Sequence, residues 1–287
     1  MTGRGLEPRL PPGRALELPG RGTTFIREIP APAGAPTLLL LHGWTVTADL
    51  NWFTVYEALG RRFGVIAMDH RGHGRGIRPH DDPFRLADCA DDAAALVDEL
   101  DRGPVIPVGY SMGGPVAQLL WHRHPHHVAG LVLCATAPVF ATSRGERVWF
   151  GSIGAAARAS RYTSKRMRSR AFERVMISRV EDGPFDDWAR EELAAGDPRM
   201  LMEAAPALAR FDSRRWLPRI DVPTAVVVTG QDEVVSPHRQ RALIGGVPGA
   251  TAHEVPVRHD GIVTEADLFL PTILDACTAV AGRLTPT

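Results

Sequence analysis

A serine, an aspartate and a histidine, each placed just after an apolar run, could together perform nucleophilic acyl transfer. Gly109-Tyr110-Ser111-Met112-Gly113 is a G-x-S-x-G directly after the run VIPVG at 105–109 and directly before a helical pattern at 112–124. A sharp strand-to-helix turn strains its central residue, small neighbours avoid clashes, and the hydroxyl projects above the sheet edge. The positive end of the following helix favours negative charge developing there. Alone, the pentapeptide also describes a Gly-rich turn extended by Gly114 and Pro115, and its place between strand and helix selects the nucleophile reading. A serine hydroxyl needs a histidine base, itself oriented by a carboxylate. Asp232 follows TAVVVT at 224–229, at the carboxyl end of a strand, where open α/β sheets gather functional groups. His259 follows a further strand pattern, TAHEVPV at 251–257. Glu233 is the alternative acid, and His253 is an alternative base that lies inside the strand pattern.

These residues need a scaffold, and the chain supplies short β-rich runs that alternate with helical patterns. The runs are TTFIREI at 23–29, TLLLL at 37–41, FGVIAM at 63–68, VIPVG at 105–109, GLVLCA at 130–135 and TAVVVT at 224–229. Continuous apolar runs suit strands covered on both faces of a mainly parallel sheet. Helical patterns at 86–100 and 112–124 fall between them, so a layered α/β domain with right-handed crossovers is predicted. The rhythm breaks over 137–218, which carries helical patterns and no convincing strand. From 144 to 179 it holds nine Arg and one Lys against Glu146 and Glu173, a local net charge of +8. A solvated helical face is the plain reading of that excess, with carboxylate or phosphate binding as the sharper one.

The sequence resembles the α/β-hydrolase fold family, in its serine-nucleophile esterase and peroxidase-like branch, from about residue 15 to 284. The Ser, Asp, His order matches, and three further motifs support it. LLLLHGW looks like the oxyanion loop, MDHRGHGRG like the D-x-R-G-x-G-x-S loop with Gly76 in the serine's place, and GQDEVVSP like the acid loop with Ser236 in a proline's place. The histidine loop departs from the family's pattern, with Arg258 for glycine, although Glu265 follows at a fitting distance. The resemblance implies a central sheet flanked by helices with a helical cap inserted after the sixth strand. The expected division is a tail at 1–14, core at 15–136, cap at 137–218 and core again at 219–287. It further implies Ser111, His259 and Asp232 as the triad, and the backbone N–H groups of Trp44 and Met112 as the oxyanion hole. Trp149, Phe150, Phe172, Met176 and Trp188 are candidate pocket residues, and Asn51-Trp52 lies near enough to the oxyanion loop to reach the pocket. The implied reaction is hydrolysis of a small ester, without metal or cofactor. Similar scaffolds also host C–C hydrolases, lyases, perhydrolases and cofactor-free oxygenases, and non-catalytic small-molecule receptors.

Composition narrows the partners. The 287 residues carry 33 Lys plus Arg and 33 Asp plus Glu, so no global field favours nucleic acid or an anionic membrane. No run approaches the ~18 apolar residues of a membrane span, and no signal-peptide pattern opens the chain. Cys89, Cys134 and Cys277 are odd in number and widely spaced, which suggests reduced thiols and a cytoplasmic setting. His42, His70 and His73 read as loop-bracing residues. The His122, His124, His126 and His127 cluster reads as a solvated helix end without an acidic ligand nearby, and so not a metal site. A small-molecule substrate is the expected partner.

Overall fold

A computed structural model describes residues 7–79, 82–160 and 185–284 of the chain. Eight strands form one sheet in the order β1-β2-β4-β3-β5-β6-β7-β8. They are β1 Gly13–Leu18, β2 Gly22–Ile29, β3 Thr37–Leu41, β4 Gly64–Met68, β5 Ile106–Tyr110, β6 Leu131–Cys134, β7 Thr224–Thr229 and β8 Thr251–Val255. The β1/β2 and β2/β4 pairs are antiparallel, and every other neighbouring pair is parallel. β1 begins inside the stretch expected to be a tail.

Every residue of β4, β5, β6 and β7 is buried, the reason their sequences read as unbroken apolar runs. Successive side chains alternate between faces. Leu39 and Leu41 enter one core with α3 Leu86–Glu99 and α4 Gly113–Arg123, while Leu38 and Leu40 enter the other with α1 Ala48–Trp52 and α2 Tyr56–Gly60.

The segment between β6 and β7 carries α5 Arg144–Ser160, α6 Asp186–Ala194 and α7 Pro198–Arg210. Beyond β7 come α8 Pro237–Gly246, α9 Gly261–Thr264 and α10 Ala266–Ala281. α10 buries Phe269, Ile273, Ala276, Cys277 and Val280 at helical spacing against the second core. α7 docks Met200, Ala204 and Leu208 onto the first core, and Trp44 Nε1 donates to the Leu201 carbonyl at 2.7 Å.

β4 and β5 lie on opposite sides of β3, so the chain reverses its direction of travel across the sheet there. Open α/β sheets form a crevice at such a switch point, beyond the carboxyl ends of the strands. No helix among the described residues is long and apolar enough to cross a membrane.

Candidate active site

Ser111 follows β5 with φ at +50°, in the left-handed region that side chains other than glycine's rarely adopt. Its neighbours explain the flanking glycines: a Cβ on Gly109 would lie 2.4 Å from the Gly113 carbonyl oxygen, and one on Gly113 would lie 1.9 Å from that of Leu41. The turn is pinned from outside by the Ser111 N–H donating to the Cys134 carbonyl at 3.0 Å, and by Thr136 Oγ1 donating to the Ser111 carbonyl at 2.8 Å.

The loops after β7 and β8 bring the other two residues to the serine. His259 Nε2 stands 3.0 Å from Ser111 Oγ, and His259 Nδ1 stands 2.6 Å from Asp232 Oδ2. A carboxylate only accepts, so Nδ1 carries the proton and leaves Nε2 free to accept from the serine hydroxyl. The Asp232 carboxylate is fully enclosed. Its Oδ1 accepts the backbone N–H groups of Val234 and Val235 at 2.8 Å each, and its Oδ2 also accepts Thr229 Oγ1 at 2.8 Å and Gln240 Nε2 at 3.1 Å. Tyr110 ties the elbow to the histidine loop, its hydroxyl donating to the His259 carbonyl at 2.6 Å.

Arg258, which stands where the family has glycine, is mostly exposed, and its backbone N–H donates to Glu265 Oε2 at 3.1 Å. Any residue but proline can make that backbone bond, so the loop tolerates the exchange. Glu233 lines the cleft beside Asp232 but does not reach the histidine ring, and His253 stays on β8 with its Nε2 3.1 Å from Thr251 Oγ1.

Trp44 borders the same cleft, and Met112 follows the serine, buried. The backbone N–H groups of Trp44 and Met112 meet no protein acceptor among the described residues. The Gly43 N–H, by contrast, is taken by Asn51 Oδ1 at 2.9 Å. His42, His70 and His73 are packed together beneath this loop, with the His42 and His70 rings 4.3 Å apart. His42 Nδ1 donates to the Gly43 carbonyl at 2.7 Å, and its Nε2 accepts the His70 N–H at 2.9 Å. Burial lowers the His42 pKa to about 4 and pushes His70 and His73 well below the usual histidine range.

A cleft of about 950 Å³ opens over Ser111. Of the five expected pocket residues, Trp188 on α6 lines it, beside Phe53 and Phe185 in an edge-to-face cluster with ring centroids 5.2 Å (Trp188–Phe53) and 5.7 Å (Phe185–Phe53) apart. Trp149 and Phe150 do not line it: on α5, Trp149 is 55% exposed and Phe150 packs against the first core. Phe172 and Met176 lie outside the described residues. Leu50, Phe53, Leu193, Ile262 and Val263 complete the apolar wall without having been singled out from sequence. The signal for Leu193 was available in part, since Ala189 and Leu193 stand four apart on one face of a helix.

The histidine-rich helix end also differs from expectation. Acids do stand nearby, with His124 Nε2 2.8 Å from Asp91 Oδ1 and His127 Nε2 2.7 Å from Asp98 Oδ1, and His127 is buried. These carboxylates come from α3, which packs beside α4 and was too distant in sequence to be paired with the cluster. No grouping of His, Cys, Asp and Glu among the described residues is arranged to hold a metal ion.

A family model described as the alpha/beta hydrolase fold matches residues 36–266. The chain belongs to the α/β-hydrolase fold family. Among its relatives in that family, it is 30% identical over 216 residues to the pimeloyl-[acyl-carrier protein] methyl ester esterase of Neisseria meningitidis serogroup B, covering 72% of this chain and 78% of the relative. A poly(3-hydroxyalkanoate) depolymerase of Ectopseudomonas oleovorans is 27% identical over 254 residues, covering 83% of this chain and 82% of that one. The crystal structure of a hydrolase from Pseudomonas aeruginosa superposes with a TM-score of 0.76 at 25% identity, over 92% of this chain and 97% of that chain. This α/β-hydrolase is therefore an enzyme of a family whose members named above include an esterase and a depolymerase.

Proposed function

We propose that this α/β-hydrolase cleaves carboxylic esters of a small, largely apolar molecule through Ser111, His259 and Asp232. The observation that carries the proposal is the unbroken hydrogen-bond path from Asp232 through His259 to Ser111 Oγ at the floor of an apolar cleft. Ser111 Oγ attacks the ester carbonyl while His259 Nε2 takes its proton, and Asp232 steadies the resulting imidazolium. His259 then protonates the departing alcohol, and water activated by the same nitrogen releases the acid from the acyl-enzyme. The Trp44 and Met112 N–H groups receive the developing oxyanion, each contributing roughly 3 to 4 kcal/mol in comparable sites.

The aromatic and aliphatic wall of Leu50, Phe53, Phe185, Trp188 and Leu193 supports a substrate with an apolar acyl or alcohol part. In this reading the helices of 137–218 act as a cap over the serine. Three buried free cysteines suit a reducing, cytoplasmic setting.

The test is hydrolysis of p-nitrophenyl esters by the wild type and by Ser111→Ala, with fluorophosphonate labelling of Ser111 alongside. Turnover that vanishes in the alanine variant, together with labelling of the wild type alone, is the expected result. An alanine variant that keeps its rate overturns the nucleophile assignment.

A further inference from the structure

Beside the oxyanion loop, on the side facing α6, five charged side chains meet in a largely buried cluster. Arg27 pairs with Asp49 at 2.5 Å, and Arg75 pairs with Asp49 at 2.7 Å, Asp69 at 3.2 Å and Glu192 at 3.6 Å. Asp69 also accepts the Ala48 and Arg75 N–H groups at 2.8 Å each. The carboxyls of Asp49, Asp69 and Glu192 therefore outnumber the guanidiniums of Arg27 and Arg75. Without Glu192 the remaining two acids and two arginines would balance, and each would keep a partner.

Glu192 is thus not needed to neutralise the cluster. Burial raises its pKa, with Asp49 and Asp69 pushing the same way while Thr47 and Arg75 pull it back. A carboxyl held at that cost must gain something specific, and its contacts show what. Thr47 Oγ1 donates to Glu192 Oε2, and the same hydroxyl oxygen caps α1 by accepting the Leu50 N–H at 3.0 Å. Thr47 lies three positions after Trp44, where the oxyanion loop runs into α1. Glu192 lies on α6 one turn after Trp188, so the bond joins the cleft's aromatic wall to the end of that loop. Leu193 reinforces the junction by packing on Leu50 with Val46 and Ala189.

We propose that Glu192 is a specificity-determining positioning residue: held by Thr47 and Arg75, it fixes α6 so that Trp188, Ala189 and Leu193 form a rigid wall for the bulky apolar part of the ester. The role rests on the esterase reading for its substrate, but not for its mechanics. Glu192 touches no reacting atom, so its loss affects binding along the wall rather than chemistry at the serine. Gln in its place still accepts from Thr47, whereas Ala does not.

The experiment takes, among p-nitrophenyl acetate, octanoate and benzoate, the ester whose kcat/KM falls most in Trp188→Ala. With it, Glu192→Ala is expected to raise KM about 10-fold with kcat little changed, the signature of lost uniform binding. Thr47→Val, which also removes the α1 cap, should raise KM at least as much, and Glu192→Gln should restore most of the affinity. In the Trp188→Ala background, Glu192→Ala should add little, because the two residues act as one unit. Independent KM losses, a glutamine variant as impaired as the alanine one, or a wild type that hydrolyses these esters with none of them responding to Trp188→Ala would each overturn the proposal.

Amide hydrogen exchange tests the mechanics without turnover: the α6 amides should exchange about 10-fold faster in Glu192→Ala than in the wild type or Glu192→Gln, by local opening. Unchanged exchange overturns the positioning role. A wild type that hydrolyses no ester but shows the faster exchange in Glu192→Ala would refute the esterase reading and leave the positioning role standing.

Discussion

Asp232→Asn probes the candidate triad most sharply, because five donors and no acceptor face this carboxylate. Two backbone N–H groups point at Oδ1, and His259 Nδ1, Thr229 Oγ1 and Gln240 Nε2 converge on Oδ2. An asparagine must turn its NH2 toward one of these sets. Toward the Val234 and Val235 N–H groups it has no escape, since backbone cannot rotate. Toward the Oδ2 side, Gln240 is equally fixed, its Oε1 accepting the Thr229 N–H at 3.0 Å and its Nε2 donating to the Val235 carbonyl at 2.7 Å. The Thr229 hydroxyl can swing away, and His259 can exchange tautomers so that Nδ1 accepts. That exchange puts the remaining ring proton on Nε2, facing Ser111, and removes the base. The expected loss is about 10³- to 10⁴-fold in kcat, or about 4 to 5 kcal/mol of transition-state stabilisation. Losing charge-assisted bonds should also lower folding stability by about 2 kcal/mol. Initial rates on p-nitrophenyl butyrate, paired with urea unfolding to show that the variant is folded at assay temperature, measure both. A folded variant that keeps more than about a tenth of the wild-type kcat would refute the argument.

Acid should unfold the protein through its buried histidines. In the unfolded chain they titrate near their ordinary 6.5, while burial holds His42 at about 4 and lowers His70 and His73 as well. Between those values the unfolded state binds more protons, so stability is complete above pH 6.5 and is lost as pH falls toward 4, by about 3 kcal/mol from His42 alone. Urea midpoints that stay constant from pH 7.5 to 5 would contradict this. Tyr110→Phe removes the hydroxyl bond to the His259 carbonyl and should lower kcat about fivefold, on the scale of the ~1 kcal/mol of one hydrogen bond; an unchanged rate would count against the tether. Gly113→Ala drives a Cβ to 1.9 Å from the Leu41 oxygen, and should yield either insoluble protein or one that fluorophosphonate no longer labels.

The strands β3 to β7 were legible because both of their faces are covered, which leaves a continuous apolar signature in the sequence. β1 was not, because it is an edge strand with mostly exposed side chains, and its GRALEL carries no such run. Ser111, Asp232 and His259 could be singled out because each sits on a loop directly after a recognisable strand, and the sheet then brings the three within hydrogen-bond distance. The cleft wall was harder. An apolar helical face announces that it is covered but not by what, which is why Trp149 and Phe150 were grouped with Trp188 although α5 leaves one exposed and packs the other against the first core. Polar pairings were out of reach for a similar reason: Glu192 joins Thr47, and Asp91 joins His124, only through helix packing that no local spacing encodes.

The site is shared among β5, β7 and β8, and this has a bearing on how the enzyme comes to life during synthesis. A nascent chain that ends at β6 already contains Ser111 and its turn, yet Asp232 and His259 have still to be made. Parallel pairing of β6 with β7 and of β7 with β8 must wait for residues from 224 to 259. Such non-local pairing forms late, after the local helices and turns. In the proposed mechanism, the Ser111 hydroxyl therefore meets its base only when the carboxyl-terminal quarter of the polypeptide docks.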